Sequence, residues 1–302
     1  MYAILILSLI LYYLWFPAEA FVASQSGLQL WFGQILPTLL PFTIISAIMI
    51  GSNLFYTMDY RLESLHIQLP VSITEAFIIF FGFLFGFPIG SKLTADHLEH
   101  GMLSLEKAQI LCTFTNNLSP VFIMNYVLQQ ELHGKYQVLP VLLLLYVPPF
   151  VIGMVQLLHI PSGKCTHKKT ASRFQINMQI VDAGIISGFH TLIKLCGYIV
   201  MFSIIGNMIS HIPWQNVQLQ CLFISNLEVT NGIHLISQYQ ESDLFQFLCM
   251  IITLSIGGVS GIAQTGSMIS NTDLSILKYV LLKLGYCICS AILAFGYYFL
   301  FI

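Results

Sequence analysis

Charge is scarce in this sequence. Of 302 residues only 8% are Asp, Glu, Lys or Arg, against about 25% in an ordinary soluble domain. So few ionic groups cannot coat a water-exposed surface of this size, and a soluble fold is excluded. A basic stripe is missing too. Eleven Lys and Arg stand against thirteen Asp and Glu, a net charge of −2, which excludes a nucleic-acid partner that would need clustered cations to neutralise phosphate. The seven cysteines contain no CxxC pair and lie mostly in apolar runs, where Cys acts as a small core residue. Neither a zinc site nor a disulfide framework is expected, and no metal or cofactor is implied. No HExxH occurs, and "GVSGIAQTG" lacks the G-x-S-x-G spacing of a nucleophile elbow, so an enzyme is not expected. The N-terminal stretch "MYAILILSLILYYLWFPAEAFVA" ends in a mimic of a signal-peptidase site, but no Lys or Arg precedes its apolar part. A retained first transmembrane helix is the expectation.

What the chain has is apolar length, with 57% hydrophobic residues. A bilayer core of about 30 Å needs roughly 20 apolar residues per helix. Segments near 1–16, 28–52, 73–90, 108–130, 136–159, 185–209, 217–237, 244–270 and 274–302 meet or approach that length. An all-α polytopic membrane protein with about eight to ten membrane segments is predicted. Residues 91–111 mix Leu93, Leu98, Leu103 and Leu105 with charge and are expected at an interface. There Asp96, His97, Glu99 and His100 read as a solvated face and not as a metal cluster. Four of the eleven cations, Lys164, Lys168, Lys169 and Arg173, fall in 161–174, a cytoplasmic loop by the positive-inside rule.

Several apolar runs are interrupted. Gly86, Pro88 and Gly90 break the first. Asn116, Asn117, Ser119 and Pro120 break the second, "LEVTNG" (227–232) the third, and Gly257, Gly258 and Gly261 the fourth. Proline removes a backbone donor and glycine weakens a helix. Unpaired backbone groups cannot face lipid, so such breaks survive only against protein or a water-filled cavity. The breaks also pair: a shift of 141 lays "GFPIGS" on "LEVTNG" and Asn116–Pro120 on Gly257–Gly261. At a longer offset "ILPTLLPFTIISAI" (35–48) falls on "LIKLCGYIVMFSII" (192–205), Ser46 over Ser203. Interrupted segments at matching places in two halves point to a transporter site near the midplane. The division expected is an N-terminal helix and loop (1–27), a first repeat (28–160), a basic linker (161–176) and a second repeat (177–302). Four full crossings per half would make the halves parallel; inversion, favoured by analogy with transporters, requires a re-entrant segment in each.

"FGFPIGSKLTADHLEHGMLSLEKAQILCTFTNNLSPVFIM" resembles the signature of the YlbJ-type sporulation integral membrane proteins. It carries a Gly-aromatic-Pro-x-Gly-[Ala/Ser]-Lys turn at Gly86–Lys92 and Phe-x-Asn-Asn-x-[Gly/Ser]-Pro at Phe114–Pro120. "LEVTNG" resembles the second-half element, and the likeness runs from about residue 28 onward. The chain is shorter than usual for that family, which implies trimmed connecting loops. The family sits among the nucleoside-recognition or "Gate" domain membrane proteins, which include the gate region of bacterial ferrous-iron transporters. The resemblance implies endospore formation in a Gram-positive bacterium and movement of dipicolinate across a membrane around the forespore.

Among individual residues, Glu228 stands out. A carboxylate in mid-membrane costs about 2.5–3.5 kcal/mol on insertion scales and is functional by default; the bland alternative is a surface loop. Low-dielectric burial favours a neutral carboxyl, so the residue is expected to couple protons or to hold a cation that travels with the substrate. Asn116 and Asn117 suit either a helix cap or a binding site, where half-helix N–H groups attract anions. Ser119, Thr230, Asn231 and Ser260 offer polar groups, and Gln264 lies one turn on. Gly232, Gly257, Gly258 and Gly261 give backbone access or close helix packing. Lys194, on one face with His190, either steers an anion or snorkels. A direct pair of His234 with Glu228 is not expected from their spacing. The partners expected are a small planar anion, a proton or monovalent cation, and the lipid bilayer, with a homo-oligomer left open. The alternative is a non-transporting scaffold subunit.

Overall fold

The computed structural model describes residues 2–55, 57–58, 61, 71–160, 174–212, 214, 216–239 and 242–301. The basic loop 161–173 lies outside them. Helices α1 (Tyr2–Trp15) and α2 (Pro17–Leu30) are followed by a π-helical turn, Trp31–Ile35, that runs into α3 (Leu36–Gly51). Then come α4 (Ile73–Phe85), α5 (Ile89–Glu99) and α6 (Leu105–Phe114). Helix α7 opens at Pro120–Phe122 and continues as a π-helix over Ile123–Glu131, leading to α8 (Val138–His159). The second half holds α9 (Met178–Ser210), α10 (Val217–Leu227), α11 (Val229–Gln238), α12 (Asp243–Ile256), α13 (Gly258–Ile269) and α14 (Ile276–Phe301). No strand occurs among the described residues.

Among the described residues four stretches are long and apolar enough to cross a bilayer: α8, α9, α12 with α13, and α14. Their outward faces carry Leu143, Val147, Val151, Ile186, Ile193, Leu281, Ile288 and Ile292, all exposed, which only a hydrocarbon solvent tolerates in such density. The protein is a multi-pass membrane protein. Residues 6–33 add a bent pair, with α1 and α2 meeting at 114°. Pro17 starts the second helix as a favourable first residue, so 17–27 is helical and not the loop expected there.

Three expected spans are not single rods. The 73–90 and 217–237 regions each fold into helical pairs, α4 with α5 and α10 with α11, made of 13, 11, 11 and 10 residues. At 1.5 Å per residue each helix is only about 15–20 Å long, short of a 30 Å core. The 108–130 region is split at residues 115–119. Local chemistry sets these limits. Ser72 and Glu75 form a reciprocal capping box that starts α4, and Gly86, at φ 76° and ψ −166°, ends it.

The solvated face expected of 91–111 is missing from most of α5. In α5, Ile89, Gly90, Ser91, Leu93, Thr94, Ala95 and His97 are all buried. His97, expected on a wet face, is fully enclosed; its Nδ1 lies 2.7 Å from the Leu93 carbonyl, and Phe55 and Phe77 flank its ring. Glu99, His100, Gly101, Leu105 and Glu106 are exposed, while Asp96 pairs with Lys92. The amphipathic pattern arises because the charges that leave the interior are paired or at the helix end, and the rest of α5 packs between neighbours.

The order of elements recurs. The starts of α4 to α8 and of α10 to α14 are separated by 138 to 144 positions, bracketing the shift read from sequence. At the later break the helix starts Pro120 and Gly258 correspond, so Ser119 pairs with Gly257. The sequence alignment, which put Asn116 there, was three residues out of register. α9 packs along α2 and α3, with Gly188 and Gly184 facing Ile44 and Ile48, which leaves no room for larger side chains.

Candidate functional site

The interruptions in the two halves meet in the interior. In the first half, the Phe87 N–H donates to the Asn117 carbonyl, joining the α4–α5 turn to the α6–α7 break. Gly90 lies so close to Thr115 that a Cβ would sit 2.7 Å from its carbonyl oxygen. From this platform the Phe87 ring reaches the second half. A Cβ at Gly257 would lie 3.0 Å from Phe87 Cε1, and one at Gly261 would lie 3.2 Å from Cζ. The glycines at the second break therefore serve close packing against an aromatic ring. Gly258 in turn faces the Leu227 carbonyl and Val229, next to the α10–α11 turn.

Asn116 is the polar link. Its side-chain oxygen accepts from the Ser91 N–H at 3.3 Å, and its Nδ2 donates to Thr265 Oγ1 at 2.7 Å and Tyr279 Oη at 3.1 Å. One amide thus ties α5, the first break, α13 and α14 together. Asn117 donates to the Phe114 carbonyl at 2.7 Å and accepts from Lys283 Nζ at 2.7 Å. Neither asparagine caps a helix. That role falls to Ser119, whose hydroxyl accepts from the Phe122 N–H ahead of Pro120.

Glu228 is buried, with 6% of its surface exposed, so it is not on an external loop. Its carboxylate caps α11, accepting from the Thr230 N–H at 3.0 Å, the Asn231 N–H at 2.9 Å and the Thr230 hydroxyl. The half-helix N–H groups at this break are taken by the chain's own carboxylate. Gly232 lets the hairpin close: a Cβ there would meet Ser225 Cβ at 2.6 Å. Tyr126 on α7 donates to the Thr230 carbonyl at 3.3 Å, a second link between halves. Gln264 donates to Ser260 Oγ at 3.0 Å, both residues buried on α13. The α13 start at Gly257 has no side-chain cap, unlike those of α7 and α11.

Other candidates lie elsewhere. Lys194 and His190 are both exposed on α9, away from the breaks. His234 binds Glu131 at 3.0 Å and not Glu228, as the spacing implied.

Comparison with known proteins fits this arrangement. No family model matches the chain, and no solved structure does. The sporulation integral membrane protein YlbJ of Bacillus subtilis (strain 168) is 25% identical over 309 aligned positions, covering 89% of this chain and 75% of the relative. Over most of its length the chain is similar to this sporulation integral membrane protein. The Gly86–Lys92 turn and the Phe114–Pro120 break, which carried the resemblance in sequence, are the two segments joined by the Phe87–Asn117 backbone bond.

Four contributors escaped the sequence reading: Phe87, Thr265, Tyr279 and Lys283. Phe87 lay inside a quoted motif but reads as one more aromatic in an apolar run. Lys283 carried a legible signal, a lysine eight residues into the 26-residue apolar helix α14. Because Asn116 satisfies three partners on other elements, Asn116→Ala should leave the Ser91 N–H without its side-chain acceptor and remove the links to Thr265 and Tyr279. A loss of about 2 kcal/mol is expected. Thermal unfolding of detergent-purified protein, compared with Asn53→Ala, reads it out.

Proposed function

We propose that this chain is a membrane transporter of a small planar anion, with dipicolinate during endospore formation as the cargo and the membrane around the forespore as its place. The observation that carries the reading is the meeting of interrupted helices from the two halves, through Phe87 over Gly257 and Gly261 and through Asn116 to Thr265. A pure scaffold has no need of unwound backbone, whereas a solute pathway does. In this reading the short pairs α4–α5 and α10–α11 enter and leave on one side, which leaves an odd number of crossings in each half and turns the second half over relative to the first, the inverted arrangement common in transporters. Within this reading, the packing of Phe87 across the breaks corresponds to a closed state.

Glu228 is assigned to proton coupling within this reading. Glu228→Gln keeps an acceptor for α11 but cannot exchange a proton. Vesicles containing the purified full chain should show gradient-driven uptake of labelled dipicolinate. In the variant the initial rate should fall about tenfold and lose its dependence on an imposed proton gradient. Gradient dependence equal to the parent's would leave Glu228 as a helix cap only. An inert parent, under either gradient direction, would remove the transport reading and favour a scaffold.

A further inference from the structure

The described lysines divide into three kinds. Lys92, Lys107 and Lys135 each pair with a carboxylate, Asp96, Glu75 and Asp243 respectively. Lys194 and Lys278 are exposed. Lys283 is the exception: it is 3% exposed, and among the described residues no carboxylate lies within 4.0 Å. Its ammonium donates instead to a neutral amide, Asn117 Oδ1, at 2.7 Å. The amide is not free to turn away, because its Nδ2 is anchored on the Phe114 carbonyl at 2.7 Å. Asn117 itself belongs to the α6–α7 break, one residue from the Asn116 link to α13 and α14.

An ammonium removed from water is costly unless a charge opposes it, and proteins that bury one for structural purposes usually supply that charge themselves. Here the chain supplies a weak stand-in at the position where two halves meet. An intramembrane lysine without a counter-ion on its own chain marks a ligand or ion pathway. We propose that Lys283 is the cationic anchor of the anion site, and that Asn117 holds it in place until a substrate carboxylate replaces the amide. The ligand class is a small carboxylate-bearing anion, and the inference rests on the transport reading above. Glu228 is committed to capping α11, whereas Lys283 offers a dicarboxylate attraction at the other break.

Three variants of the full chain test it: Lys283→Arg, Lys283→Met and Asn117→Asp. The last gives Lys283 a carboxylate of its own, a competitor that the substrate must displace. Uptake of labelled pyridine-2,6-dicarboxylate into vesicles is measured against concentration, alongside thermal unfolding in detergent with and without the same compound. The half-saturation concentration should rise about tenfold or more in Asn117→Asp, with the unfolding midpoint kept or raised and the compound no longer stabilising. Lys283→Met should lose saturable uptake, and Lys283→Arg should retain it within about threefold. If Lys283→Met fails to fold, Asn117→Asp alone decides. Parent-like half-saturation in Asn117→Asp overturns the anchor while leaving transport intact. A parent that takes up no dicarboxylate overturns both.

Discussion

Gly86→Ala is expected to destabilise the protein by more than about 4 kcal/mol, enough to prevent recovery of folded chain from the membrane. The backbone at Gly86, φ 76° and ψ −166°, lies in a region essentially restricted to glycine. A methyl group would also meet backbone: its carbon would sit 2.7 Å from the Asn117 carbonyl oxygen and 2.8 Å from the Leu118 carbonyl carbon. Those atoms belong to the first break and cannot yield without moving Asn116 and Asn117. The control is Gly101→Ala, where φ is also positive, at 70°, but no atom lies within 4 Å of the added carbon. That change should cost about 1–2 kcal/mol, the conformational penalty alone. Yields of monodisperse protein and unfolding midpoints compare the two. Similar losses in both would mean that strain, and not the packed junction of the two segments, governs the site.

The second large effect is expected at Lys107. Its Nζ lies 2.6 Å from Glu75 Oε1, with side-chain exposures of 12% and 4%, while Glu75 Oε2 accepts from the Ser72 N–H at 3.0 Å. The pair fastens the start of α6 to the start of α4. Lys107→Met leaves the Glu75 carboxylate buried without its partner, which should cost about 3–5 kcal/mol. Adding Glu75→Gln removes the stranded charge and should recover more than half of that loss. Lys135→Met at the exposed pair with Asp243, where side chains are 38% and 58% exposed, should cost less than about 1 kcal/mol. A single Lys107→Met variant as stable as Lys135→Met would show the buried pair to be dispensable.

The contrast between these two lysines explains why part of the site was legible and part was not. Gly86, Pro88, Gly90, Asn116, Asn117, Pro120, Glu228 and Gly257 announce themselves because each is locally improbable inside an apolar run: the residue type limits its own backbone or carries its own desolvation cost. Where those groups point is a separate matter. Glu228 was correctly expected to be buried, but its carboxylate turned inward onto α11 because two N–H groups one turn ahead were the nearest donors. Asn116 and Asn117 were weighed as caps, yet Ser119 took that position because it stands immediately before Pro120. The stretch 91–111 was read as a solvated face because pairing and packing are invisible in a linear pattern: Lys92 and Asp96 read as polarity although they pair with each other, and His97 is enclosed.

From the sequence alone came the solvent, the helical class and the positions of the interruptions, because hydropathy and the backbone limits of Gly and Pro are properties summed over or confined to neighbouring residues. Only the tertiary structure decided that the short helices fold back in pairs, that Phe87 seals one set of breaks against the other, and that Lys283 faces Asn117. Those are contacts between groups up to 174 positions apart, Phe87 and Gly261, or 166 apart, Asn117 and Lys283. Nothing in a residue's own chemistry selects such a partner; it is selected by which surfaces fit when the whole chain packs.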